Sequence, residues 1–139
     1  IFLSPEGFRP VAGTSRIGDV ELGTLSKAIQ VILVDMISDY DMDTLNGVVI
    51  RGKSQIRFFV GDGTPEVQDL YGIIGGLAEQ GGKAAWEFGE LVGIRASCCT
   101  SDYIGVTEFV LHGDYDGKVY RQETGTSFDG RDILGVYAT

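Results

Sequence analysis

Glycine restricts this chain more than any other residue. Twenty-one glycines stand among 139 residues, against three prolines, roughly twice the ordinary share of glycine. They fall between short apolar runs, and the pairs Glu6-Gly7, Asp62-Gly63 and Asp116-Gly117 each divide two such runs. Glycine enters positive φ without steric cost, which is why tight turns collect it. Short apolar runs cut in this way predict an all-β chain of strands joined by tight turns.

The spacing suggests an architecture. The last two of those pairs lie 54 positions apart, close to the period of about 40–50 residues at which a β-propeller repeats its four-stranded blades. The expectation is therefore propeller blades, each a four-stranded antiparallel meander, with one short helix. On that basis residues 1–139 form a partial β-propeller domain of about two and a half blades, short of the roughly four to eight that close a ring. A β-sandwich of similar strand count is the rival. Ile1-Phe2-Leu3-Ser4 and Val136-Tyr137-Ala138-Thr139 both read as mid-strand, so a segment of a longer polypeptide is expected.

Along the chain, Ile1–Leu3 and Phe8–Ala12 flank a Ser4-Pro5-Glu6-Gly7 turn. From Thr24 to Met36 the pattern changes. Leu25, Ala28, Ile29, Ile32, Leu33 and Met36 recur at helical spacing, with Thr24 or Ser26 as cap and strand as the alternative because of Ile29, Val31, Ile32 and Val34. An acidic loop, Asp39 to Asp43, is expected next. Val48–Arg51 and Gln55–Val60 then form a hairpin across Gly52-Lys53-Ser54, closed by Gly61-Asp62-Gly63. Leu70–Ile74 and Ala84–Phe88 pair across a glycine-rich connection from Gly75-Gly76 to Gly81-Gly82. The last clear blade spans 93–139, with strands at Ile94–Thr100, Val106–His112, Lys118–Gln122 and Ile133–Tyr137.

Composition narrows the function. The chain carries a formal charge of −9, with a pI near 4.4 and a mean hydropathy of +0.08. An acidic chain without a Lys/Arg run has no electrostatic footprint for nucleic acid or an anionic membrane. Its apolar runs, such as Val31 to Val34, fall far below the ~20 residues of a spanning helix, and no signal peptide is visible. Cys98 and Cys99 are adjacent, so on a strand they point to opposite faces; both are expected reduced, one buried and one near the surface.

Catalytic and metal templates find incomplete matches. Asp39, Asp41 and Asp43 occupy the first three ligand positions of an EF-hand loop, but Thr44 stands where glycine is required and Ile50 where the bidentate Glu belongs. They remain a weak calcium candidate. Ser101 to Glu108 and Ser127 to Gly130 each depart from the aspartate turn of sialidase-type propellers. His112, the single histidine, sits at a strand end and reads as a turn or core hydrogen-bonding residue. Glu87, Glu90, Glu108 and Glu123 offer carboxylate pairs, expected by chance among 20 acids. Trp86 alternates with Phe88 and reads as core. No cofactor and no enzymatic activity are expected. Arg121, Glu123, Asp129 and Arg131 read instead as ties bracing a long connection, with Val119 and Arg121 on one strand face and Tyr120 and Gln122 on the other.

The run Gly117-Lys118-Val119-Tyr120-Arg121-Gln122-Glu123-Thr124-Gly125-Thr126-Ser127-Phe128-Asp129-Gly130, with Ile133 and Tyr137-Ala138-Thr139, resembles a recurring stretch in the tail stabilisation or nozzle-type proteins of short-tailed bacteriophages. Phe2 to Pro10, Leu25 to Ile29 and Ser54 to Phe59 are similar as well, so the likeness touches most of the chain in order. It implies a structural ring subunit, a hexamer in that family, bearing a β-propeller. Such a subunit sits below portal and adaptor, continues the DNA-exit channel, and docks fibres or a needle. The implied location is the virion tail, assembled in the host cytoplasm, with DNA passing but not specifically bound and no membrane partner. Gly117, Tyr120, Arg121, Gln122, Glu123, Gly125, Phe128, Asp129 and Gly130 are then structural motif residues. Members of that family are longer and continue past the Tyr137 element. The acid excess suits a conduit wall that does not hold phosphates. A carbohydrate-binding or glycan-hydrolysing propeller, with Trp86, Tyr103 and paired acids lining a pocket, is the alternative; a repeat-type interaction domain is a third.

Overall fold

A computed structural model describes residues 1–4, 7–9, 27–61, 70–127 and 130. The strands are β1 (Phe2–Ser4), β2 (Gly7–Arg9), β3 (Asp41–Ile50), β4 (Gln55–Gly61), β5 (Leu70–Gln80), β6 (Lys83–Val92), β7 (Cys98–Ile104), β8 (Thr107–Gly113) and β9 (Val119–Arg121). One helix, α1 (Gln30–Asp39), follows a 3-10 turn at Lys27–Ile29, and a second 3-10 turn, Arg51–Lys53, joins β3 to β4. Every strand pair is antiparallel: β1-β2 is a hairpin, β3-β4-β5-β6 a four-stranded meander and β7-β8-β9 a three-stranded one. The described residues are thus mostly β with one helix, as the glycine punctuation and the helical spacing up to Met36 predict.

Period-two alternation gives the four-stranded sheet two apolar faces. One carries Phe58, Val60, Tyr71, Ile73 and Phe88, which pack with Phe8 of β2 and with Leu33 and Met36 of α1. Phe8 stacks on Phe58 at 4.5 Å and on Phe88 at 5.7 Å between ring centroids. The other face carries Val48, Ile50, Phe59 and Leu91, which pack with Ala96, Cys99 and Val110 of the three-stranded meander and the segment before it. The four-stranded sheet is therefore the middle layer of three. At the near edge, Asn46 Nδ2 donates to the Ala96 carbonyl at 3.1 Å, and Ser101 Oγ donates to the Val49 carbonyl. Side chains thereby satisfy edge groups where no strand continues the ladder.

Several boundaries differ from those expected. The helix runs past Met36 to Asp39 and has no side-chain cap at Ile29; its expected start, residues 24–26, lies outside the described residues. Leu33 and Met36 are buried, so tertiary packing fixes this helix more than its ends do. The acidic loop is not a loop. Asp39 closes α1 and Asp41 opens β3, because a register shift between Asp41 and Asn46 lets both Met42 and Leu45 reach the helix-side core. Thr44 holds the shift, donating to the Asp41 carbonyl at 2.6 Å and accepting from Gly61 N at 2.8 Å.

Gly75 and Gly76 likewise lie inside β5 rather than in a connection; the turn is Gly81-Gly82 alone, both at positive φ (57° and 77°), the type I′ geometry that two-residue hairpins prefer. Gly75 is in the strand for room, since a Cβ there would stand 2.7 Å from Phe88 Cε1 and 3.0 Å from Ile56 Cγ1. Beyond Gly76, which pairs with Gln55, the β5–β6 ribbon extends past the end of β4. The strand expected at Ile94–Thr100 begins only at Cys98, as Arg95 and Ser97 turn to side-chain bonds. The expected Pro10–Ala12, Asp62-Gly63 and Ile133–Tyr137 lie outside the described residues, so three strands of the 93–139 unit are seen.

Replacing Gly75 by valine is expected to destabilise the fold by about 1–3 kcal/mol through overpacking. Gly76→Ala, whose Cβ would meet nothing closer than 3.9 Å, should cost well under half as much. Thermal melts of the two variants check the contrast.

Candidate functional site

The charged cluster in the structure centres on a residue that strand alternation hides. Arg57 sits on β4 opposite Val48 and Ile74, on the face packed against the second meander, with its side chain 4% exposed. A guanidinium there must be paired, because an unpaired buried charge is among the costliest features a fold can carry. The partners come from the end of β9. Gln122, itself buried, accepts from Arg57 Nη1 through Oε1 at 2.5 Å. Glu123 accepts from Nη2, and Gln55 Oε1 accepts from the same nitrogen at 3.2 Å. Lys53, the last residue of the 3-10 turn between β3 and β4, pairs with the other Glu123 oxygen.

Local backbone geometry makes this grip possible. Gln122 N donates to the Val110 carbonyl at 2.9 Å, fixing the end of β9. Glu123 then takes φ of +57°, a left-handed conformation unusual for a residue with a side chain. That reversal lets two consecutive side chains converge on one guanidinium, whereas consecutive strand residues point to opposite faces. Burial alone would raise the Glu123 carboxyl, but the Lys53 and Arg57 hydrogen bonds and charges outweigh it and hold the group below its ordinary value.

A second anchor lies nearby. Glu108 of β8 accepts from the backbone N–H groups of Arg51 at 2.9 Å and Gly52 at 2.7 Å, clasping the 3-10 turn of one sheet to the hairpin of the other. Desolvation opposes its charge, yet the Gly52 and Arg51 N–H groups, the Arg51 charge and the Tyr103 hydroxyl together lower its pKa. A third tie joins Arg95 to Asp114 at 3.4 Å and to Asp116 at 3.6 Å.

The expected motif residues fall into place unevenly. Of the four residues expected as ties, Glu123 forms one, though to Arg57 and Lys53 of the other sheet rather than within its own unit; Gln122, expected only as a strand-face residue, joins it on Arg57. Arg121 is not in the tie. It projects from the opposite face with its guanidinium 3.9 Å from the Phe109 ring centroid, a cation–π contact. Tyr120 stacks on His112 at 5.3 Å, so the predicted division of β9 faces holds. Gly117, Gly125 and Gly130 have φ of 77°, 83° and 80°, a backbone region that glycine enters without steric cost. Phe128, Asp129, Arg131 and Asp132 lie outside the described residues.

The other candidates scatter. Asp41 Oδ1 accepts from Asp43 N at 3.0 Å, and no group of three or more His, Cys, Asp or Glu among the described residues is arranged to hold a metal ion. Cys98 is exposed and Cys99 half-buried, both free. Cys99 Sγ lies 3.0 Å from Asn46 Oδ1, and burial, with a smaller contribution from Cys98, pushes its thiol up to about 11. His112 is partly buried, which lowers its pKa against the pull of Asp114. Glu90 accepts from the Tyr71 hydroxyl at 2.5 Å. Trp86 stacks on Phe88 at 6.0 Å on the helix-side face, whereas Tyr103 sits on β7, so the two aromatics do not share a pocket.

Three consequences are measurable. Gln122→Ala should destabilise by about 1–3 kcal/mol, since it strips a buried charge of one of its partners, against under about 1 kcal/mol for the exposed Lys53→Ala; denaturant melts decide. Because the folded Glu123 carboxyl is depressed from 4.5, its contribution is whole above that pH and is lost as pH falls through the folded value. Acid unfolding of Glu123→Gln should then show a shallower loss below about pH 4.5 than the parent. Glu108→Ala should speed hydrogen exchange at the Arg51 and Gly52 amides while leaving the Arg57 amide protected.

Comparison of the chain with protein-family models, with curated proteins and with solved structures found no match.

Proposed function

We propose that this chain is a structural component of a short-tailed phage tail, a ring subunit that extends or seals the DNA-exit channel below portal and adaptor. The observation that carries the reading is the grip of Gln122 and Glu123 on Arg57. The residues with the resemblance to nozzle-type proteins spend their polar groups on joining one meander to the next. A stretch used for fastening sheets suits a load-transmitting part.

The same reading takes the two meanders as successive propeller blades. Three features support it: both sheets are antiparallel meanders in sequence order, they pack face to face, and their first strands, β3 and β7, approach each other through the Asn46–Cys99 and Val49–Ser101 contacts. Blades around an axis bring their first, innermost strands together in this way. The formal charge of −9 favours a surface along which DNA passes without holding. The subunit would assemble in the host cytoplasm with copies of itself, with portal or adaptor, and with fibre or needle proteins, and would need no cofactor.

Negative-stain images of the purified protein should show closed rings, and duplex DNA should not be retained at physiological salt. Monomers that bind or cleave glycans would overturn the reading in favour of a carbohydrate-directed propeller.

A further inference from the structure

Asparagine is used once in this chain, at position 46, and glycine follows it. An asparagine amide is thermally labile, above all where the next backbone nitrogen is uncrowded, and glycine, having no Cβ, crowds it least. Each residue is demanded by a different contact. A Cβ at Gly47 would stand 2.9 Å from Phe58 Cδ1 and 3.2 Å from the Arg57 carbonyl oxygen, so the strand needs glycine there. Asn46 is a tie at the edge of the joint between the meanders. Its Nδ2 donates to the Ala96 carbonyl at 3.1 Å and to the Thr44 carbonyl at 3.3 Å, and its Oδ1 accepts from Cys99 Sγ at 3.0 Å. Packing has thus set the chain's one labile dipeptide of this kind where the two meanders meet.

The joint also decides whether the dipeptide reacts. Ring closure requires Asn46 Cγ to swing onto Gly47 N. In the closed structure the amide's hydrogen bonds point it at Thr44, Ala96 and Cys99 instead. Asn46 and Gly47 are also held in register with Phe59 and Phe58 of β4. Parting β3 from β7 and the segment before it releases the amide from Ala96 and Cys99 and leaves it only the weaker local bond to Thr44. Water reaches the place, because Gly47 is exposed and Asn46 only half-buried.

We propose that Asn46-Gly47 is a deamidation site gated by the joint between the meanders, and that its conversion keeps the joint from closing again. Gly47 N gives up its proton and bonds to Asn46 Cγ; the Cγ–Nδ2 bond breaks, and ammonia leaves with that proton. Water then opens the succinimide ring, and the new acid ionises. Opening at Cγ leaves aspartate at position 46; opening at the backbone carbonyl leaves isoaspartate, whose main chain runs through Cγ. Overall a water is consumed and an ammonia released. Aspartate sets an acceptor-only carboxylate against the Ala96 and Thr44 carbonyl oxygens, which had received amide hydrogens and are left without donors. Isoaspartate lengthens the backbone of β3 and disturbs its register with β4. The change runs one way, and it does not depend on the ring reading above.

Peptide mass mapping reads the conversion without ambiguity, because the chain has a single asparagine. In mildly alkaline buffer the urea-unfolded chain should convert at position 46 roughly tenfold or more faster than the folded protein, since reaction from an opened state follows that state's population. Gln122→Ala, which weakens the joint away from Asn46, should convert roughly tenfold faster than the parent while still folded. Parent protein held in urea below its unfolding midpoint should also convert faster, which checks the gate without relying on that variant to fold. Asn46→Asp, which reproduces the product with an unaltered backbone, should exchange its β7 amides faster than the parent while β5 amides stay protected. A folded parent that converts as fast as the unfolded chain would overturn the gate, as would parental rates in both Gln122→Ala and the urea-loosened parent. Parental β7 exchange in Asn46→Asp would overturn the claim that conversion keeps the joint open.

Discussion

The structure turns on one guanidinium that has been taken out of water. Arg57 lies between two sheets with three side-chain acceptors around it, two of them from a stretch 65 residues or more downstream. Apolar packing alone would let two twisted sheets slide over one another at little cost, because hydrophobic burial has no direction. A buried guanidinium is directional. It allows one register between the sheets, since any slide strands a charge in a low-dielectric interior. Val48, Phe59 and Val110 supply bulk attraction around that point, and Arg57 sets where the attraction is satisfied.

The other ties lie around it. The Glu108 clasp fixes the turn end of β3 and β4, Asn46 and Ser101 fix the edge, and Arg95 with Asp114 and Asp116 fixes the irregular entry to β7. Each joins a side chain to a backbone group or an opposite charge on another element, and each lies nearer to solvent than Arg57. Exposed ties of this kind contribute modestly to stability. Their effect is to prevent rotation about the central bond, as several weak fasteners do around one strong one. On the far side of the middle sheet the order is reversed: Phe8, Phe58 and Phe88 stack, and aromatic packing does the joining.

Much of this was readable in advance, and the divisions follow physical lines. Glycine punctuation, period-two alternation and the helical spacing of Leu33 and Met36 are local signals, and the elements they predict are present. The failures came where a distant contact overrides a local preference. Gly75-Gly76 looks like a turn until Phe88 and Ile56 need the space above the strand. Asp39 to Asp43 looks like a loop until a register shift feeds Met42 and Leu45 to the core. The division of faces in Tyr120, Arg121 and Gln122 was legible because it depends only on the pleat. That Arg57 is the partner was not, although one clue was there: a cation between Ile56 and Phe58 in an otherwise apolar strand. Glu108 gave no comparable clue, since its acceptors' partners are backbone groups that no sequence pattern names.

The β5–β6 ribbon has a mechanical consequence. Past Gly76 it leaves the sheet, so residues 78–80 of β5 have a neighbour on one side only, and β6 is an edge along its length among the described strands. A two-stranded ribbon without a third strand is marginal by itself. It is held at its root by the Ser54 carbonyl, which accepts from Leu77 N at 3.0 Å. The outer ribbon can therefore bend or open while the three layers below remain closed, giving an otherwise cross-braced body one compliant arm.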